Sequence, residues 1–73
     1  MVDIAKLRSR MVLKGYTQKG LVAEMNARGV KISENTMSAK MNGTSKWNCD
    51  DVYVICDILG LESAADMAEI FLA

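Results

Sequence analysis

Apolar residues recur along this 73-residue chain at helical spacing, and the period-two alternation of half-buried strands is missing. Ile4, Leu7 and Met11 fall at i, i+3 and i+7, which predicts a first helix over about residues 3–14, ended by Gly15. Thr17 can cap a second helix that turns Leu21, Val22 and Met25 inward and runs to about residue 28, where Gly29 stops it. Ser33 can cap a third over 33–42, with Ile32 packing on Met37 as a hydrophobic staple, Met37 and Met41 on the buried side, and Gly43 at the end. Asn48 opens a fourth over 49–59, with Asp50 and Asp51 at the positive end of its dipole and Val52, Ile55, Cys56 and Leu59 as the inward stripe before Gly60. Ser63 with Asp66 has the spacing of a capping box and begins a short helix over 64–72, whose apolar residues are Met67, Ile70 and Phe71. The expected fold is all-α: a compact five-helix bundle forming one domain over residues 1–73.

Composition narrows this picture. An apolar share of 51% supports a packed core, and six methionines against few aromatics make that core aliphatic and adaptable. No apolar run approaches the roughly 18 residues that a membrane span needs, and no basic-then-apolar leader opens the chain, so a cytoplasmic protein without membrane contact is expected. Cys49 and Cys56 lie seven residues apart on one predicted helix, roughly 10 Å along its axis and too far for a mutual disulfide. Without histidine they do not close a zinc site, and buried or half-buried free thiols are expected. Catalysis has no foothold either: there is no histidine, no glycine-rich phosphate loop and no metal cluster, so neither an enzyme nor a cofactor nor a small-molecule substrate is expected.

Net charge is zero, yet its distribution is lopsided. All nine basic residues lie in residues 1–46, where only Asp3, Glu24 and Glu34 oppose them; residues 47–73 hold six acids and no base. Such asymmetry predicts that one end of the fold meets a polyanion while the other faces solvent or a protein.

The third helix is the element suited to that meeting. At 100° per residue, Met37 and Met41 define its core side, Asn35 and Ala39 point nearly opposite, and Thr36 and Asn42 flank them. In a major groove an asparagine can bond bidentately to adenine, a carboxylate such as Glu34 can accept from cytosine N4, and a small side chain can contact thymine. Ala39 also permits a close approach.

The stretch "YTQKGLVAEM" followed by "ISENTMSAKMNGTSKWNCDDVYVICDILGL" resembles the helix-turn-helix domain of the lambda-repressor/Cro-like class, and short phage-encoded transcriptional regulators within it most of all. The matching residues are Thr17, Gln18 and Leu21 at the second helix, then Ile32, Ser33, Thr36, Met37, Ser38, Asn42 and Gly43 at the third. Lys40 and Trp47 match a lysine and an aromatic frequent in the phage branch. The likeness spans about residues 4–61. It implies a lambda-repressor-like bundle that binds double-stranded operator DNA, with Glu34, Asn35 and Ala39 facing bases and Thr36 contributing from the flank. Gln18, Ser33 and the loop from Asn42 to Lys46, Thr44 included, would bind phosphates. Thr17, Lys19, Lys31, Ser38 and Lys40 stand beside these and complete the phosphate-binding set. Trp47, between two helices, is expected to close the core as a lid.

The chain departs from the class in three places. "NARGVKIS" after Met25 is about five residues longer than the usual "LGIS"-like turn, so either the second helix or the loop is extended. Val22 stands where a small alanine usually permits close packing, and Gly20 sits inside the second helix at a cost of about 1 kcal/mol against alanine. The expected function is a transcriptional regulator, repressor or Cro-like, working in a bacterial host and binding DNA as a homodimer. The acidic fourth helix and the tail "MAEIFLA" would be the dimer contacts, since residue 73 leaves no room for a separate oligomerisation domain. The competing expectation is a helical protein-interaction module, such as an antirepressor, that keeps the fold without binding DNA.

Overall fold

The computed structural model describes residues 2–61 and 63–72, and over them the chain forms five α-helices: α1 Ile4–Leu13, α2 Gln18–Ala27, α3 Glu34–Met41, α4 Cys49–Leu59 and α5 Ala64–Phe71. Every helix starts at a side chain that takes up one of the amide donors its first turn leaves unpaired. Asp3 accepts from the Lys6 amide at 3.1 Å, Thr17 from Gly20 at 3.0 Å, and Ser33 from Thr36 at 3.1 Å. Asn48 accepts from Asp51 at 2.8 Å and Ser63 from Asp66 at 3.0 Å. The expected box at Ser63 forms only this half, because the Asp66 carboxylate turns instead to Arg10 at 3.2 Å. A reciprocal box forms at Asn48, whose own amide donates to Asp51 Oδ2 at 3.2 Å. Gly60 ends α4 at φ 69°, a left-handed conformation that a side chain would strain, and the Leu61 amide then closes on Cys56 O at 2.8 Å.

The core joins all five helices. Leu7, Leu21, Met25, Met37 and Ile55 are fully buried, with Met11, Val22, Met41, Leu59, Ile70 and Phe71 nearly so. On α4 the buried set is wider than the expected stripe: Val54 and Ile58 join Ile55, Cys56 and Leu59, while Val52 is only half-buried. A single stripe suffices for a helix covered on one side, whereas α4 is packed by α2 and carries α3 and α5 nearby. The thiols divide accordingly. Cys56 is buried, which pushes its thiol up, but Cys49 at the start of α4 is exposed, contrary to expectation. Trp47 does lie against the core, edge-on to Phe71 with ring centroids 6.4 Å apart. No helix among the described residues is long and apolar enough to cross a membrane.

The charge asymmetry of the sequence is partly spent inside the fold. Bases of the first 46 residues reach acids of the last 27 at Lys6–Glu69 and Arg10–Asp66, both 3.2 Å, and at Arg28–Asp57 and Lys40–Asp51. The first two tie α1 to α5. Exposed pairs of this kind contribute about 0–1 kcal/mol each, so they guide the packing more than they sustain it. Arg28 also bonds Glu24, and that hydrogen bond, with the nearby Asp57 charge, holds its guanidinium above the ordinary range.

The long approach to α3 is divided between helix and loop. Helix α2 runs to Ala27; Gly29 then adopts φ 94°, and the Val30 amide returns to Met25 O at 3.0 Å. Beyond it, Asn26 substitutes for a strand partner. Its Nδ2 donates to Val22 O and to Ile32 O, both at 2.8 Å, and its Oδ1 accepts from the Ile32 amide at 3.3 Å. One amide side chain thus fixes the residue immediately before the α3 cap, while Val30 and Ile32 pack on the core. Asn26→Ala would leave the Ile32 amide and carbonyl without these partners, and it is expected to lower stability by about 1–3 kcal/mol. Urea denaturation should show this as a lower midpoint with an unchanged slope.

Candidate nucleic-acid interface

Helix α3 has eight residues, and its two sides are sharply different. Met37 and Met41 are buried at 0% and 4% exposure, whereas Glu34, Asn35 and Thr36 are exposed in its first turn and Ala39 is half-buried one turn later. Asn35 and Ala39 thus lie on the outer side, opposite the two methionines, with Thr36 on the flank, while Glu34 is exposed because it stands at the N-terminal tip of the helix. Ser33 caps this helix and also donates its hydroxyl to Thr36 Oγ1 at 2.9 Å, which leaves the Thr36 proton to be donated outward. What Ser33 retains for an anion is its backbone position at a helix N-terminus, where free amides and the dipole favour negative charge.

Around this face lie the expected phosphate-binding groups. Thr17 and Lys19 are exposed at the start of α2, Lys31 is exposed before α3, and Asn42, Thr44 and Lys46 are exposed after it. Gln18 Nε2 donates to Ser38 Oγ at 2.7 Å, joining the first turn of α2 to the middle of α3. Both side chains are half-buried, and the bond leaves the Ser38 proton and the Gln18 carbonyl oxygen unspent. The loop after α3 folds back on its own helix: the Thr44 amide at 2.9 Å, the Thr44 hydroxyl at 3.0 Å and the Ser45 amide at 3.2 Å all donate to Ala39 O. The Thr44 hydroxyl is thereby committed to the loop, while Asn42 and Lys46 stay free at its rim. Gly20 also has a local reason. A Cβ there would lie 3.2 Å from Thr17 Oγ1, the atom that caps α2.

Lys40 does not stand with the phosphate-binding set. It is 6% exposed, and its ammonium points inward to the Asp51 carboxylate, itself 2% exposed, with the Trp47 ring centroid 6.0 Å away. Placed one step before Met41, it lies on the side of α3 that α4 covers, and a buried carboxylate there captures it. Among the described residues, no ion pair holds Arg8, Lys14, Lys19, Lys31 or Lys46. Lys14 reaches Gly60 at the carbonyl end of α4, where an ammonium suits the dipole. Arg8 and Tyr16 were not anticipated. They line a shallow concavity of about 270 Å³ together with Thr17, Gln18 and Met41, so a guanidinium borders the start of α2. Helical periodicity marks Arg8 only as solvent-facing; its neighbourhood exists only once α1 packs beside α2 and α3.

A family model for the Cro/C1-type helix-turn-helix DNA-binding domain matches residues 6–70. The chain belongs to that family. No curated protein and no solved structure matches it. As a Cro/C1-type domain it is a DNA-binding regulator whose partner is double-stranded DNA, and the family is typically non-enzymatic. Its helix-turn-helix is α2 and α3, joined by the Asn26-braced turn and clasped by Gln18 and Ser38. A double-mutant cycle on Gln18→Ala and Ser38→Ala should give a coupling of about 0.5–1.5 kcal/mol in folding stability. Strictly additive losses would mean that the two side chains do not bond in solution.

Proposed function

We propose that residues 1–73 act as a single DNA-binding domain of a transcriptional regulator, repressor or Cro-like and of phage or prophage type, that occupies an operator in a bacterial cytoplasm. In this reading α3 enters the major groove, with Glu34, Asn35, Thr36 and Ala39 at the base edges. Thr17, Gln18, Lys19, Lys31, Ser33, Ser38, Asn42 and Lys46 hold the flanking phosphates, and Arg8 adds to them from α1; Thr44, whose amide and hydroxyl both close the loop on Ala39 O, is not among them. The observation that carries the reading is the family match over residues 6–70, whose second helix-turn-helix element, α3, here opens with an exposed Glu34–Asn35–Thr36 turn and is seated on Met37 and Met41.

One short helix makes few base contacts, so useful specificity calls for two copies on a two-fold site, spaced about 34 Å apart. An exposed apolar face supports pairing of the chain with itself. Tyr53 and Leu72 are each 78% exposed and border a hollow of about 330 Å³ with Trp47, Val52, Met67 and Phe71. Zero net charge and the exposed Glu34 favour the competing reading, a protein-binding module of the same fold.

Selection from a random DNA pool followed by anisotropy titration separates the two. A palindromic consensus, with affinity falling steeply as salt rises, is expected; absence of binding at low salt would sink the DNA reading. Within the DNA reading, Asn35→Ala should cost about 1–3 kcal/mol at one operator position and relax the base preference there. Lys46→Ala should weaken all sequences alike and reduce the salt slope by about 1.

A further inference from the structure

We propose that Lys40 is a positioning residue for the reading face of α3, acting through Asp51 on α4 and never touching DNA. The inference rests on the DNA reading above. Three observations meet at this lysine. Its Nζ donates to Asp51 Oδ2, with both side chains nearly sealed from solvent. The same Asp51 oxygen accepts the Asn48 amide at 3.2 Å, and Asn48 Oδ1 accepts the Asp51 amide at 2.8 Å, so the carboxylate is part of the cap that starts α4. The Trp47 ring, packed on the core, stands 6.0 Å from the ammonium.

Met37 and Met41 hold α3 down but orient it poorly, because methionine side chains are flexible and their contacts non-directional. Reading bases requires side chains within about 0.5 Å and 10–20° of their productive place. A charge-assisted hydrogen bond to a capped, buried carboxylate is directional and supplies that restraint. It also sits well for the purpose: Lys40 and Asn35 lie about 140° apart on the helical wheel, so a pin on the inner side fixes the rotation of the outer one. Stability alone does not explain the pair, since apolar residues of similar volume in its place are often as stable or more so.

The test compares the unmodified chain with Asp51→Asn, Lys40→Met and the double variant Lys40→Met/Asp51→Asn. Each is titrated with the selected DNA and with random DNA over a range of salt, at a temperature where circular dichroism shows it folded. Lys40→Met alone leaves a bare buried carboxylate and is expected to fold poorly; the double variant removes both charges and is expected to fold. In the double variant the ratio of specific to random affinity should fall about tenfold, the worth of one good base contact, with affinity for random DNA and the salt slope unchanged. Asp51→Asn, which leaves Lys40 an acceptor, should show a smaller loss in the same ratio and carries the test if the double variant does not fold. A salt slope reduced by about 1 would overturn the proposal by placing Lys40 on a phosphate. An unchanged ratio in a folded variant would reduce the pair to packing and overturn it equally. If the unmodified chain itself shows no preference, the DNA reading fails first, and the positioning role falls with it.

Discussion

An eight-residue helix cannot stand alone in water, so everything α3 displays depends on what grips its inner side. The grip is divided between unlike forces. Met37 and Met41 bury their side chains in the common core and provide adhesion without direction. Direction comes from polar contacts at four points around the helix: the Ser33 cap, Gln18 on Ser38, Lys40 on Asp51, and the Thr44–Ser45 loop folded onto Ala39 O. Each polar contact ties α3 to a different neighbour or to its own end, and none uses Glu34 or Asn35. The exposed turn is thus held still while its two longest polar side chains remain available.

Charge is handled with similar economy. The chain's nine bases and nine acids sum to zero, but four bases of the first 46 residues are matched with acids of the last 27 inside the fold, and other bases stay exposed around α3. Lys19, Lys31 and Lys46 remain exposed near the ends of α2 and α3, and Arg8 borders Gln18. A polyanion responds to local potential over about a Debye length, roughly 8–10 Å in physiological salt, and not to the sum over the chain. Zero net charge and a DNA-binding family are therefore compatible.

The helices and their starts were legible in the sequence because both are local: Thr17, Ser33, Asn48 and Ser63 bond amides three residues on, and heptad-like apolar spacing marks the inner faces. What escaped is set by packing. Val54 and Ile58 on α4 are buried because α4 is enclosed on more than one side. Asp66 leaves its cap because Arg10, 56 residues earlier in the chain, arrives beside it. Asn26 gave no sign of its role; asparagine near a helix end is usual, and only the return of Ile32 shows why this one is there.

Lys40 and Lys46 show the limit of residue chemistry most clearly. Both are lysines in the segment that carries the family likeness, and both were expected at phosphates. Lys46 stays exposed after the helix, whereas Lys40 falls one step before Met41, on the side of α3 that meets α4. Burying an ammonium costs several kcal/mol unless a counter-charge awaits it. Here the counter-charge is Asp51, which the sequence explains fully as a helix-starting carboxylate and which performs that task too. One carboxylate serving α4's first turn and α3's inner side couples the two helices, so the pose of α3 depends on how α4 begins. A substitution at Asn48 or Asp51, far along the chain from Asn35, therefore reaches the exposed turn through a single shared side chain.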